Sequence, residues 1–196
     1  MNNGYLVLDL ETKRSFEEVG GRNFSELGVS VCCLYTYEDD SYRHFLELEL
    51  GRMENFLIHA KLIIGFNVRR FDLPVLQPYF TSSIATFPVF DILEDLTERL
   101  GHRVSLDSVA QATLNTGKSA SGLDAIRFFR EGKWDQLRSY CQQDVKITKE
   151  VFDYGLKNGE IFFLSKEGNK KIRVEVDWSN RLPKYQPQHS VQYKLL

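Results

Sequence analysis

Residues 5–10, Tyr-Leu-Val-Leu-Asp-Leu, form an apolar run broken only by Asp9. A continuous run of this length predicts a central strand covered on both faces. The carboxyl group set into it is the main constraint on what the chain can be. Glu11 stands two residues further on, so its side chain projects from the same face as Asp9, near the carboxyl end of the strand. In open α/β sheets that end is where ligands bind.

The rest of the chain reads as alternating elements. Residues 28–37 and 42–48 are rich in Val, Tyr, Leu and Phe, and the Glu38-Asp39-Asp40-Ser41 turn between them predicts a hairpin. A short helix over 52–60 precedes a second buried strand over 62–65. Pro74 suits the first turn of a helix beginning near Asp72. A short strand over 87–90 leads into a helix ending near Leu100, and helices follow over 105–114 and 123–130. The longest helix spans about 134–155, with an apolar stripe of Trp134, Leu137, Cys141, Val145, Thr148 and Phe152. Residues 160–165 and 171–177 predict a second hairpin turning at Glu167-Gly168-Asn169, and 180–196 an extended or disordered arm. Strands and helices alternating after an antiparallel hairpin predict a mixed α/β sheet with helices on both faces.

Two more acids interrupt apolar patterns. Asp144 lies on the apolar side of the longest helix, one turn after Tyr140 and on the same face. The residues one turn away on that face are not basic, and Lys146 and Lys149 point elsewhere. A buried carboxylate is costly unless it is neutralised, paired with a base or bound to a cation. A hard divalent ion held by several carboxylates meets that requirement. Asp72 closes the segment Gly65-Phe-Asn-Val-Arg-Arg-Phe71-Asp72, a strand end, loop and helix start that could point back over the same sheet edge. Each residue taken alone has a plainer reading: Asp9 and Glu11 as exposed strand-end acids, Asp72 as a helix N-cap, Asp144 as a half-exposed helix acid, Asn67 as a turn residue. Their combination is what points to a site.

Composition narrows the class. The 196 residues carry a net charge of −2, with 42% hydrophobic and 27% charged side chains, typical of a soluble globular chain with a core of its own. Three cysteines without CxxC spacing argue against a disulfide framework or zinc ribbon and suit a reducing, cytoplasmic setting. No run approaches 18 apolar residues, and the N-terminus lacks the basic start of a signal peptide, so no membrane partner is expected. Residues 165–196 carry +4 and the rest −6. A basic tail on an acidic body is unlike a general DNA-coating protein, although the tail could add salt-sensitive phosphate contacts.

Asp9-Leu10-Glu11-Thr12, then Asn67-x-x-x-Phe71-Asp72, then Tyr140-x-x-x-Asp144 resembles the three-motif signature of the DEDD superfamily of 3′–5′ exonucleases. Tyr140, four residues before the last Asp, is similar to the DEDDy branch, which includes the proofreading domains of family B DNA polymerases. Position 139 is Ser, so the branch with histidine five residues before the Asp does not fit. The resemblance implies an RNase H-like mixed five-stranded sheet over residues 1–164, followed by a basic hairpin and extended tail over 165–196. It implies a metal-dependent phosphodiester hydrolase in which Asp9, Glu11, Asp72 and Asp144 hold two Mg²⁺ or Mn²⁺ ions about 4 Å apart. One ion would generate the attacking hydroxide and the other would stabilise the departing 3′ oxygen. Tyr140, with a reference pKa of about 10, would orient the water. Leu10 and Thr12 would touch the terminal nucleotide, and Asn67 and Phe71 would guide or stack the strand end, an arrangement that tolerates any base. The implied partner is nucleic acid, single-stranded DNA before RNA, with a polymerase, helicase or other repair protein as a further possibility.

Other readings fail on context. Ala112-Thr-Leu-Asn-Thr-Gly117-Lys118-Ser119 is a near-match to a P-loop, but a helix precedes it where a strand is required. A haloacid-dehalogenase-type phosphatase would need Asp where Glu11 stands. The four histidines have no ligand spacing, and Asp91, Asp107 and Asp124 read as acids at helix starts. Two rivals share the fold: an endonuclease, and a nucleic-acid-binding module without turnover.

Overall fold

The computed structural model describes residues 4–116, 122–165 and 170–182. Its first strand, β1 (Tyr5–Thr12), is followed by a helical turn α1 (Phe24–Leu27), the hairpin β2 (Val29–Thr36) and β3 (Ser41–Phe45), and helix α2 (Leu50–Ile58). Then come β4 (Leu62–Gly65), α3 (Asp72–Leu76), β5 (Val89–Asp91), α4 (Ile92–Leu100), α5 (Leu106–Leu114) and α6 (Gly122–Arg130). The long helix α7 (Trp134–Asn158) leads into β6 (Glu160–Leu164), β7 (Lys171–Glu175) and a last turn, α8 (Trp178–Arg181).

Five strands form one mixed sheet in the order β3-β2-β1-β4-β5. β2 runs antiparallel to β1, and β4 and β5 run parallel to it. β1 is therefore central, and its alternation divides the core in two. Leu6, Leu8 and Leu10 face one cluster with Met53, Leu57 and Leu73 from α2 and α3. Tyr5 and Val7 face the other, with Leu96, Val109, Val145 and Phe152 from α4, α5 and α7. Burial on both faces explains why β1 reads as an unbroken apolar run. Asp9 and Glu11 continue the row of Tyr5 and Val7, so they point towards α7.

β4 pairs with only Tyr5–Val7 of β1. Beyond Val7 that edge of β1 has no strand partner among the described residues, and the Leu10 N–H bonds to Asp72 of α3 instead. A register shift against β2 between Glu11 and Thr12 ends the regular ladder there.

The second hairpin, β6–β7, packs under the same core. The Thr113 hydroxyl donates to the Phe162 carbonyl at 2.8 Å and accepts the Phe162 N–H at 2.9 Å. Ser108 makes the same pair of bonds with Leu164. Two hydroxyls of α5 thereby satisfy the free edge of β6. Val174, Val176, Trp178 and Leu182 join the cluster that contains Val7 and Phe152.

Two expectations need correction. Asn180 and Arg181 lie in α8 rather than in an extended arm. That turn is held because Trp178 is fully buried, stacks 5.9 Å from Phe152 and donates its indole N–H to Asp95 at 2.7 Å. Its ring lies where Gly155 has no side chain: a Cβ there would fall 2.2 Å from the indole. Trp134, assigned to the apolar stripe of α7, is 40% exposed because it opens the helix's first turn. The turn at 167–169, the Gly117-Lys118-Ser119 part of the near P-loop and residues 183–196 lie outside the described residues. No helix among the described residues is long and apolar enough to cross a membrane, and Cys32, Cys33 and Cys141 are free and buried.

Trp178→Ala should lower unfolding free energy by about 3–5 kcal/mol, the usual loss for a buried tryptophan, measured by urea denaturation. A loss below about 1 kcal/mol would show that α8 is not part of the core.

Candidate active site

The acids of β1 and α7 meet at the open end of the sheet. Asp9 and Glu11 share a face because strand side chains alternate, and α7 crosses that face with Tyr140 and Asp144 one turn apart. One carboxylate oxygen from each of Asp9, Glu11 and Asp144 lies within 4.8 Å of the others. Asp144 is 4% exposed. Lys146 and Lys149 point away, to Glu150 at 3.8 Å and Asp153 at 2.8 Å.

Asp72 arrives from the other side of β1. It is the first residue of α3, and its Oδ1 accepts the Leu10 N–H at 3.1 Å across the stretch that β4 leaves unpaired. Asp72 lies outside the group of three mutually close carboxylates. Burial pushes its carboxyl up to about 7, offset by the backbone donors at Leu10 and its own N–H, with the charges of Asp91 and Asp144 adding to the rise.

Tyr140 is 6% exposed. Burial, then the charges of Asp144, Glu11 and Asp9, raise its phenol well above the ordinary range. The shift favours the protonated phenol, which can donate a hydrogen bond. Two thiols lie beneath Asp9: those of Cys32 and Cys141 donate to its carbonyl at 3.3 and 3.5 Å. Burial raises both thiols far above the usual range, so neither offers a thiolate. The donor set is one of hard carboxylate oxygens, which fits Mg²⁺ or Mn²⁺ and not a thiophilic ion.

The remaining predicted residues surround this centre. Leu10 is buried in the α2–α3 cluster, so its backbone N–H, not its side chain, faces Asp72. Thr12 is buried and its hydroxyl donates to the Arg14 carbonyl at 2.8 Å. Asn67 has the left-handed backbone of a turn residue, with φ of 72°, and its Oδ1 accepts from Arg103 at 2.8 Å. Phe71 is half-buried and meets the rings of Phe16 and Phe24 edge-on at 5.8 and 6.3 Å. Phe16, Phe24 and Arg103 were not flagged by sequence. They contact the motif residues only through the fold, and nothing in their spacing marks them. Asp91 caps α4 as its position suggests, and Asp107 and Asp124 fall in the first turns of α5 and α6.

Comparison with known proteins bears on the fold. A family model described as the RNase H superfamily matches residues 16–155. That stretch contains Asp72, Tyr140 and Asp144 and begins after Asp9 and Glu11. Among solved structures, the chain is similar to RNase D of Trypanosoma brucei, at 16% identity and a TM-score of 0.55, over 78% of this chain and 57% of that one. It thus spans somewhat over half the length of that protein, and the likeness is one of fold. No curated protein matches the chain.

Asp72 binds its proton more tightly in the folded chain, at about 7, than in the unfolded one, near 3.9. The folded state therefore loses stability on its account as pH rises from about 4 through about 7. Asp72→Asn should remove that loss. In EDTA, the melting temperature of Asp72→Asn relative to the parent should climb between pH 5 and pH 8. A constant difference would show that Asp72 titrates normally.

Proposed function

The chain belongs to the RNase H superfamily, and on that premise we propose that it is a metal-dependent 3′–5′ exonuclease of the DEDDy type. Its fold is that of the RNase H-like nucleases. The observation that carries the reading is the approach of Asp9, Glu11 and Asp144 to within 4.8 Å of one another, with Tyr140 on the same face of α7 and Asp72 across β1.

In this reading Asp9, Glu11, Asp72 and Asp144 hold a pair of divalent ions, Mg²⁺ or Mn²⁺. When bound, these ions supply the positive charge that makes water nucleophilic and steadies the departing 3′ oxygen. Tyr140 orients the attacking water through its protonated hydroxyl. Asp72 is the adaptable member: its raised pKa makes it neutral or charged near pH 7 according to what it faces.

Substrate handling falls to the end of β1, where it outruns β4. In this reading the backbone at Leu10 and Thr12 and the Asn67–Phe71 loop flank the terminal nucleotide. Phe71, braced edge-on by Phe16 and Phe24, offers an aromatic surface on which a terminal base can stack, worth about 1–3 kcal/mol regardless of base identity. Such recognition suits a single strand better than a duplex. We favour single-stranded DNA, and RNA would be accepted if no side chain excludes the 2′-hydroxyl.

A 5′-labelled single-stranded oligonucleotide with Mg²⁺ or Mn²⁺ tests this. The expected product is a ladder shortening from the 3′ end, abolished by a 3′ block. Asp9→Ala and Asp144→Ala should each reduce the rate by about 10³-fold, in line with the several kcal/mol a metal site supplies. Discrete internal fragments would mean an endonuclease, and shortening undiminished in both variants would remove Asp9 and Asp144 from the chemistry. Parallel RNA and duplex substrates rank the three. Tyr140→Phe should slow cleavage about 10–100-fold and leave the metal concentration for half-maximal rate unchanged; a shift in that concentration would make Tyr140 part of the metal site.

A further inference from the structure

Asp91 accepts more hydrogen bonds than a helix cap requires. It ends β5 and starts α4, and its Oδ1 accepts the N–H groups of Leu93 and Glu94 at 3.0 and 3.2 Å, which is ordinary N-capping. The same oxygen also accepts the Asn67 N–H at 2.9 Å, and Oδ2 accepts the Arg69 N–H at 3.0 Å. Those two donors lie 24 and 22 residues upstream, in the loop between β4 and α3. Asp91 is 4% exposed, so these bonds form away from competing water, where a carboxylate acceptor is strongest.

The loop it grips is tightly wound. Val68 folds back over Gly65, where a Cβ would fall 2.5 Å from the Val68 side chain. Asn67 takes the left-handed conformation, and its carbonyl accepts the N–H groups of Arg70 and Phe71 at 3.2 and 3.0 Å. Arg69 adds a second tie, from its guanidinium to Glu94 at 2.9 Å and to the Val89 carbonyl at 2.8 Å. The loop ends in Phe71 and Asp72, and Asp72 reaches the Leu10 N–H.

We propose that Asp91 is a positioning residue of the site: its carboxylate locks the Asn67–Phe71 loop and so sets Asp72 and Phe71 against the end of β1. The proposal rests on the reading that Asp72 and Phe71 serve cleavage. It treats the cap of α4 and the loop as one unit, joined by the Asp91 carboxylate from one side and by the Arg69 guanidinium from the other.

Asp91→Ser separates the two duties. Serine is as good an N-cap as aspartate, but it is too short to reach the loop. Amide hydrogen exchange reads positioning without any activity: residues 67–72 should exchange roughly tenfold faster or more while α4 stays protected. In the cleavage assay, kcat should fall about 10–100-fold, the usual effect of losing a supporting hydrogen bond, and the Mg²⁺ concentration for half-maximal rate should rise. Asp91→Asn keeps Oδ1 and turns an N–H towards Arg69, so it should give a smaller change of the same kind, and it serves if the serine variant does not fold. Unchanged exchange at 67–72, or wild-type kcat and metal dependence in the serine variant, would make Asp91 a helix cap and nothing more. If the parent protein does not cleave at all, the nuclease reading fails, and the exchange measurement still decides whether Asp91 holds the loop.

Discussion

Three carboxylates whose oxygens lie within 4.8 Å of one another set the terms for this structure. Two unit charges about 5 Å apart repel by about 3 kcal/mol at an effective dielectric of about 20, and Asp144 is almost wholly removed from water. A fold tolerates such a group only where protons, hydrogen-bond donors or cations offset the repulsion. The apolar packing that surrounds it forces the acids together. β1 has no freedom to turn Asp9 and Glu11 outward without burying Leu8 and Leu10 on the wrong face. The face of α7 that carries Tyr140 and Asp144 also carries Cys141, Val145 and Phe152, all fully buried.

The sheet supplies the rest of the arrangement. Because β4 stops pairing at Val7, the last part of β1 leaves backbone donors for other partners. Asp72 uses one of them, at Leu10. The loop before Asp72 is stapled to β5 and α4 through Asp91 and Arg69. On the far side, α5, the second hairpin and α8 close the core beneath α7, with Trp178 seated in the space that Gly155 leaves. The acidic end of the molecule thus rests on two apolar clusters, one on each face of a single strand.

Much of this was legible in the sequence. β1, the β2–β3 hairpin and α7 were visible because period-2 and period-3.6 patterns are local properties. Asp9, Glu11, Asp72, Tyr140 and Asp144 stood out because acids in apolar surroundings are costly. The resemblance built on them agrees with the RNase H-like fold. What escaped was the work of groups that the sequence does not distinguish. Any residue but proline at position 10 would offer Asp72 the same N–H. Asp91 shows itself as a helix cap, and its grip on a loop more than 20 residues away is visible only in three dimensions. Thr113 reads as one more small side chain on a helical stripe, yet its hydroxyl satisfies a strand edge. Trp178 follows a charged hairpin, and its burial depends on a glycine 23 residues before it.

The central claim is that Asp9, Glu11 and Asp144 form one divalent-ion site drawn from a strand and a helix. Titration of the metal-free protein with Mn²⁺ by calorimetry measures it most directly. The account predicts saturable binding in the parent chain and its loss in Asp9→Asn and in Asp144→Asn alike, with both variants still folded by circular dichroism. Binding that persists at parental affinity in Asp144→Asn would contradict it, since the strand acids would then hold the ion without the helix.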